Sequence, residues 1–205
     1  MQTILIAGAS GSGKTTLAER LSECLGRERS LIIALDSYYR DLSHLTICER
    51  ERVNFDHPDA LDLPLLNQNL LSLKNGERVK IPQYDFKLHT RSGYSETHVH
   101  TDVVIVEGIY ALYWPQIRML GDHTVFIDTP LSICLSRRIE RDQRERGRTY
   151  ESIITQWERT VEPMFKEHAL KTAQFATLRA ERDEEIEGVT NTLVARCLTG
   201  LQNSR

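Results

Sequence analysis

Gly8-Ala9-Ser10-Gly11-Ser12-Gly13-Lys14-Thr15 is a run of residue types able to hold phosphate. Its glycines let successive backbone N–H groups turn inward on an anion. Lys14 reaches the β- and γ-phosphates of a nucleotide, and the Thr15 hydroxyl binds Mg²⁺. A helix beginning near Lys14, with Thr16 in its first turn, aims its positive end at the same anion. A Gly/Ser-rich loop can match this pattern by chance. Here the apolar run Ile4-Leu5-Ile6-Ala7 precedes it and Thr16-Leu17-Ala18-Glu19-Arg20-Leu21 follows with helical spacing, the context that nucleotide binding requires.

Two acids stand at the ends of further apolar runs. Asp36 follows residues 31–35 and Glu107 follows residues 103–106. In an open α/β sheet the ligand lies outside the carboxyl ends of the strands. Both carboxylates can therefore approach a Mg²⁺ beside Thr15, directly or through water. Strand-end acids also cap helices, but two of them flanking one phosphate loop favour the metal reading. Asp36 is further placed to take a proton from an incoming hydroxyl.

Phosphoryl transfer asks a protein to position donor and acceptor and to neutralise charge on the moving group. In residues 137–148, Arg137, Arg141, Arg144 and Arg148 repeat at helical spacing and Gly147 supplies a hinge. This predicts an arginine-rich lid, about residues 141–150, that closes over the phosphates and excludes water. A solvated helix with pairs such as Glu140 and Arg144 is the plainer description, and the two are compatible. A guanine-reading Asn-Lys-x-Asp and a strand-end Asp-x-x-Gly are both missing from the sequence. A small-molecule kinase is thus favoured over a regulatory GTPase.

The elements that must position these groups follow from length and patterning. A chain of 205 residues suits one α/β domain, residues 1–205. A formal charge of −3 gives no field that would draw in nucleic acid or an anionic membrane. No stretch is apolar enough to span a bilayer, no basic leader precedes the first apolar run, and the four cysteines are scattered. A cytoplasmic protein is expected. Short apolar runs at 4–7, 31–35, 103–106 and 124–127 read as buried parallel strands. Helical patterns alternate with them at 17–25, 63–73, 131–139 and 153–161, the last stopping at Pro163. This predicts an α/β fold with a parallel sheet flanked by helices. Residues 79–100, with Pro82 and Gly93, read as an inserted β-hairpin on which His98 and His100 share one face. The acidic stretch 181–187 reads as a surface loop, and residues 189–201 as a C-terminal helix.

Taken together, these motifs resemble the uridine kinase, or uridine-cytidine kinase, family of P-loop kinases. The resemblance runs from Thr3 to about Thr172. It includes Asp36-Ser37-Tyr38-Tyr39-Arg40-Asp41, Asn54-Phe55-Asp56-His57-Pro58-Asp59-Ala60, Glu107-Gly108-Ile109 and Glu145-Arg146-Gly147-Arg148. It also includes Ile81-Pro82-Gln83-Tyr84-Asp85-Phe86-Lys87-Leu88-His89-Thr90-Arg91. Phosphoribulokinase and pantothenate kinase look similar at the phosphate loop but not across this set.

The resemblance implies transfer of the γ-phosphate of ATP or GTP to the 5′-hydroxyl of uridine or cytidine, a step of pyrimidine salvage, with Asp36 as general base. It places the ribose hydroxyls on Asp56, helped by Arg138 and Gln156. A carboxylate suits a vicinal diol because it can accept both protons. Tyr84, Phe86 and His89 would contact the pyrimidine, although His89 by itself reads as an ordinary loop histidine. Arg141, Arg146 and Arg148 match the family's lid arginines, with Arg141 and Arg146 acting beside Lys14 in catalysis and Arg148 closing on substrate. Tyr39 is either a nucleoside contact or packing. The family's homotetrameric assembly is implied in the same way. The chain departs from the family pattern at Phe175-Ala176-Thr177-Leu178-Arg179-Ala180 and Glu181-Arg182-Asp183-Glu184-Glu185, where Arg179 replaces an apolar residue; this leaves ATP and GTP both open. The remaining readings are a kinase of the same fold for another small-molecule acceptor, and a nucleotide-binding homologue without turnover.

Overall fold

The computed structural model describes residues 1–97, 101–181 and 183–203. Its strands are β1 (Gln2–Gly8), β2 (Ser30–Ala34), β3 (Lys80–Asp85), β4 (Thr90–Glu96), β5 (Val103–Glu107), β6 (His123–Ile127) and β7 (Leu178–Ala180). Five of them form a parallel sheet in the order β2-β5-β1-β6-β7, and β3 pairs with β4 as an antiparallel hairpin. The parallel α/β architecture expected from the apolar runs is present, and the inserted hairpin stands within 79–97. His98 and His100 lie outside the described residues.

Because β1 is central, its alternate side chains feed two cores. Leu5 and Ala7 pack with Ile33, Val104, Val106 and Phe126 on one face. Ile4 and Ile6 pack on the other with Ile105, Val125 and Ile127, against Leu17 and Leu21 of the helix Lys14–Leu25 and Leu193 of the helix Asp183–Asn203. The chain leaves β1 for β2, returns to β5 and then crosses to β6 on the far side of β1. The carboxyl end of β1 is therefore the switch point of the sheet, where such folds open a crevice for ligand.

Two sequence expectations are corrected. Pro163 does not end its helix: helical structure runs from Tyr150 to Phe175 through two wide turns, Trp157–Val161 and Phe165–Ala169. Ile153, Trp157, Val161, Phe165, Ala169 and Ala173 are all buried, a strict four-residue period. An α-helix of 3.6 residues per turn would rotate that row off the core, whereas under-wound turns hold it in line. The N–H of Glu162 bonds the carbonyl of Trp157 and that of Leu170 bonds Phe165. The widened turn before Pro163 also relieves the clash that its ring would make in a regular helix.

Residues 183–187 of the acidic stretch are not a loop. From Asp183 the stretch is the first turn of the C-terminal helix, where acids complement the positive helix end. Ile186 is already buried there. Arg179, which stands where the family pattern has an apolar residue, occupies the middle of the fifth sheet strand, β7. It is exposed on the sheet edge, and its Nη2 donates to the Ala173 carbonyl at 2.7 Å.

Candidate active site

The phosphate loop leaves β1 at Gly8, whose φ is 151°, and returns through Gly11 and Gly13 at φ 84° and 100°. A Cβ on Gly11 would lie 2.4 Å from the Cys134 carbonyl oxygen, so the loop is pressed against the helix Leu131–Arg146 with no room for a side chain. The Thr129 hydroxyl holds the Ser12 carbonyl at 3.0 Å, and Ser12 N–H closes onto Ala9 at 3.1 Å. The Ser12 hydroxyl is buried without a partner, an unsatisfied polar atom inside the cradle. Lys14 starts the helix Lys14–Leu25 and lies buried, its Nζ 2.8 Å from the Ala9 carbonyl oxygen. Burial lowers its ammonium pKa, opposed by the charges of Glu107 and Asp36. Thr15 and Thr16 are exposed at the mouth.

The Thr15 hydroxyl donates to Glu107 Oε1 at 3.1 Å. Burial pushes the Glu107 carboxyl up, and Lys14 partly offsets this. Asp36 stands half-buried in the short turn Leu35–Tyr38 after β2. The donors brought together are a hydroxyl and two carboxylates, hard oxygen ligands that fit Mg²⁺. Among the described residues, no three His, Cys, Asp or Glu side chains could hold a metal by themselves.

Two cavities meet at this point. One of about 420 Å³ follows the phosphate loop past Lys14, Thr15, Thr16 and Glu107. The other, about 1210 Å³, opens between the hairpin, residues 51–56 and the arginine-rich helix. Ser10, Asp36, Ile109 and Arg141 line both. Each cavity lies at the carboxyl edge of the sheet.

In the larger cavity an aromatic wall forms from Tyr39, Phe55, Tyr84, Phe86 and His89. Tyr39 packs 5.2 Å from Tyr84 and 5.5 Å from Phe55, and His89 stacks on Phe55 at 4.8 Å with only 14° between the rings. The hairpin explains these orientations. A register shift between Gln83 and Tyr84 re-aims the strand. Asp85 Oδ1 accepts the N–H groups of Lys87 and Leu88, folding the turn that presents Phe86 and His89. His89 adopts φ 49°, left-handed backbone that histidine enters more readily than bulky residues. The Tyr84 hydroxyl is buried without a partner and its pKa is pushed up to about 12 by burial. Arg91 ties the hairpin to Asp62, the cap of the helix Leu63–Lys74, at 2.9 Å and to the Tyr39 carbonyl just after the turn that carries Asp36.

Asp56 faces the same cavity and accepts from Thr160 Oγ1 at 2.6 Å and Gln156 Nε2 at 3.1 Å. Gln156 Oε1 in turn accepts from Arg138 and Arg148. Arg138, itself buried, reaches Ser10 of the phosphate loop at 3.0 Å. A continuous chain of hydrogen bonds therefore links the phosphate loop to Asp56.

The arginine segment is arranged differently from the expected single face. Arg144 is exposed and pairs with Glu145. Arg148 lies beyond the helix end, where Gly147 caps it in left-handed backbone. The residues that converge are Arg138, Arg141, Arg146 and Arg148, because all four surround the carboxylate of Asp142. Arg146 also lies over the Phe86 ring, 4.7 Å from its centroid, so the segment touches the hairpin. Arg137 borders the phosphate-loop cavity instead.

Sequence reasoning missed Asp142, Thr160, Tyr110 and the part played by Phe55. Tyr110 donates its hydroxyl to the Asp56 carbonyl. A signal for Asp142 was present: an acid four residues after Arg138 and four before Arg146 faces both on a helix. Thr160 lies one turn beyond Gln156, but that spacing pointed to it only once Asp56 was known to pack there.

The family model described as phosphoribulokinase / uridine kinase matches residues 3–195. Among curated proteins, a uridine kinase of Shewanella amazonensis is 46% identical over 195 residues, covering 93% of this chain and 92% of that one. A uridine kinase of Shewanella frigidimarina is 46% identical over 195 residues with the same coverages. Among solved structures, a D-glycerate 3-kinase from Cryptococcus neoformans superposes with a TM-score of 0.63 at 21% identity. The match covers 84% of this chain and 80% of that one, and it is a likeness of fold.

Proposed function

The chain belongs to the phosphoribulokinase / uridine kinase family, and on that premise we propose that it transfers the γ-phosphate of ATP or GTP to the 5′-hydroxyl of uridine or cytidine, yielding UMP or CMP. The observation that carries the reading is the wall common to both cavities. Asp36 and Arg141 are the charged residues among the four that border the phosphate-loop cavity and the aromatic cavity alike, which sets an acid and a guanidinium where donor and acceptor meet.

In this mechanism the backbone of residues 8–15 and Lys14 hold the donor phosphates. Asp36 takes the proton of the acceptor hydroxyl as its oxygen attacks phosphorus and the bond to the leaving diphosphate breaks. Arg141 and Arg146 neutralise charge on the moving group, and Arg148 closes on the substrate. Asp56, held by Gln156 and Thr160, accepts the ribose hydroxyls. Tyr84, Phe86 and His89 hold the pyrimidine. Thr15, Asp36 and Glu107 would hold a Mg²⁺, which when bound offsets negative charge on the phosphates.

The test is nucleoside-dependent ADP release from Mg-ATP with uridine, cytidine, 2′-deoxycytidine, adenosine and no acceptor, repeated with Mg-GTP. Transfer confined to uridine and cytidine is the expected result. Failure with every acceptor and both donors would defeat the reading.

A further inference from the structure

The carboxylate of Asp142 has no role in the reaction as described, yet it is the most heavily paired group near the site. It sits in the helix Leu131–Arg146 with no exposure to solvent. A buried charge persists only where it is paired and hydrogen-bonded. Arg141 places Nε and Nη2 on Oδ1 at 2.9 and 2.8 Å, and Arg148 places Nη1 on Oδ2 at 3.3 Å. Arg138 and Arg146 each stand 3.7 Å away. The main chain takes part as well, since the N–H groups of Gly147 and Arg148 both donate to the Asp142 carbonyl oxygen. One residue thus fixes the turn that ends the helix and the arginines on either side of it. Burial would raise its carboxyl pKa, but the surrounding arginines, Arg138 and Arg141 first and Arg146 with them, together outweigh burial and hold it below the ordinary carboxylate value.

Charge counting shows what this arrangement is good for. Four guanidinium groups around one carboxylate are gathered without being neutralised, and three positive charges remain. That surplus borders the cavities: Arg141 lines both, and Arg138, Arg146 and Arg148 line the larger. Without the carboxylate, four like charges would splay apart.

We propose that Asp142 is a positioning residue for phosphoryl transfer, an internal counter-anion that preassembles Arg141, Arg146 and Arg148 at the junction of the two cavities. The inference rests on the kinase reading above. Its advantage is preorganisation: positive charge already in place stabilises the transferred group without rearrangement at the moment of reaction. Arg138 keeps Ser10 and Gln156 as partners whatever happens at Asp142, and Arg148 keeps Gln156 and the Ser152 carbonyl, so the contacts around Asp56 survive its loss while the guanidinium charges lose their common anchor.

Asp142→Asn in the full chain separates positioning from mere support. The expected result is a kcat lower by at least about tenfold with the uridine KM within about threefold. In the free protein, amide exchange across residues 146–150 should be faster by at least about fivefold. A kcat within threefold of wild type, a rise confined to KM, or unchanged exchange would each overturn the proposal. Should Asp142→Asn not fold, the charge-balanced Arg141→Gln/Asp142→Asn variant is compared with Arg141→Gln. A further loss of kcat supports the proposal, because Arg146 and Arg148 are also released, and an equal kcat overturns it. The exchange measurement needs no acceptor. A wild-type chain inactive on uridine and cytidine would remove the kinase reading, while exchange still decides whether Asp142 anchors the arginine turn.

Discussion

At the scale of single residues, Asp36 and Asp56 divide the work on the acceptor, and substitution should separate them. Asp36→Asn removes the proton acceptor without touching the aromatic wall. Turnover should fall by at least about a hundredfold with the uridine KM nearly unchanged, and a kcat within tenfold of wild type in steady-state assays would retire Asp36 as the base. Asp56 carries the discrimination between ribose and deoxyribose, because a 2′-deoxy nucleoside leaves part of the carboxylate unpaired. Asp56→Asn should therefore lower kcat/KM for cytidine far more than for 2′-deoxycytidine, narrowing their ratio by about tenfold or more. An unchanged ratio would take Asp56 away from the ribose.

His89 adds a pH dependence. Burial lowers its pKa from the ordinary 6.5, Glu51 opposes this, and Arg148 and Arg50 add to it. A depressed folded-state pKa means that stability, and with it the neutral ring facing the base, is present above pH 6.5 and is lost as pH falls through the folded value. The uridine KM should be flat above pH 6.5 and rise on further acidification. His89→Asn, which tolerates the same left-handed backbone, should raise KM and abolish that rise. A KM profile shared by both proteins would assign the acid limb to another group.

At the scale of elements, the sequence revealed those whose burial pattern is short and local. Runs at 4–7 and 103–106 could only be buried strands, and the phosphate loop followed from three glycines and a lysine at fixed spacing. What escaped depended on partners distant in sequence. The helix through Pro163 is held by an apolar row of four-residue period whose meaning appears only against the sheet. The acids from Asp183 read as loop until Ile186 was seen to be buried behind them. The same dependence on distant partners governs the phosphate loop, whose shape is set by the helix Leu131–Arg146. Gly11→Ala would place a Cβ 2.4 Å from the Cys134 carbonyl oxygen at a φ of 84°. Backbone cannot yield there as a flexible side chain would, so the loop must move off the helix. Nucleotide affinity, measured by calorimetry with Mg-ADP, should fall by at least about tenfold, and the melting temperature of the free protein should fall by a few degrees from the strain. Undiminished affinity would show that the loop can open without losing its grip.

At the scale of the whole molecule, the site is arranged at a cost to stability. The individual site residues were legible as motif members, but the network joining Ser10, Arg138, Gln156 and Asp56 was not, since its directly bonded pairs are separated by up to 128 positions. Glu107 shows the energetic side of that assembly. Its carboxyl is raised by burial despite Lys14 nearby. A raised folded-state pKa means that the stability contributed by the neutral form is complete below the ordinary value of 4.5 and is lost as pH rises through the folded value. Wherever that carboxyl is ionised, the chain carries a charge that its fold disfavours and that a Mg²⁺ would favour. Glu107→Gln keeps an acceptor for the Thr15 hydroxyl and removes the charge. The melting temperature of the free protein at pH 7.5 should rise by about 2–4 °C, the effect of about 1 kcal/mol on a chain of this size. Turnover should fall by at least about tenfold, and the added stabilisation on saturating with Mg-ADP should shrink. Scanning calorimetry with and without nucleotide reads both effects, and a variant no more stable than wild type would mean that Lys14 already compensates the buried carboxylate in full.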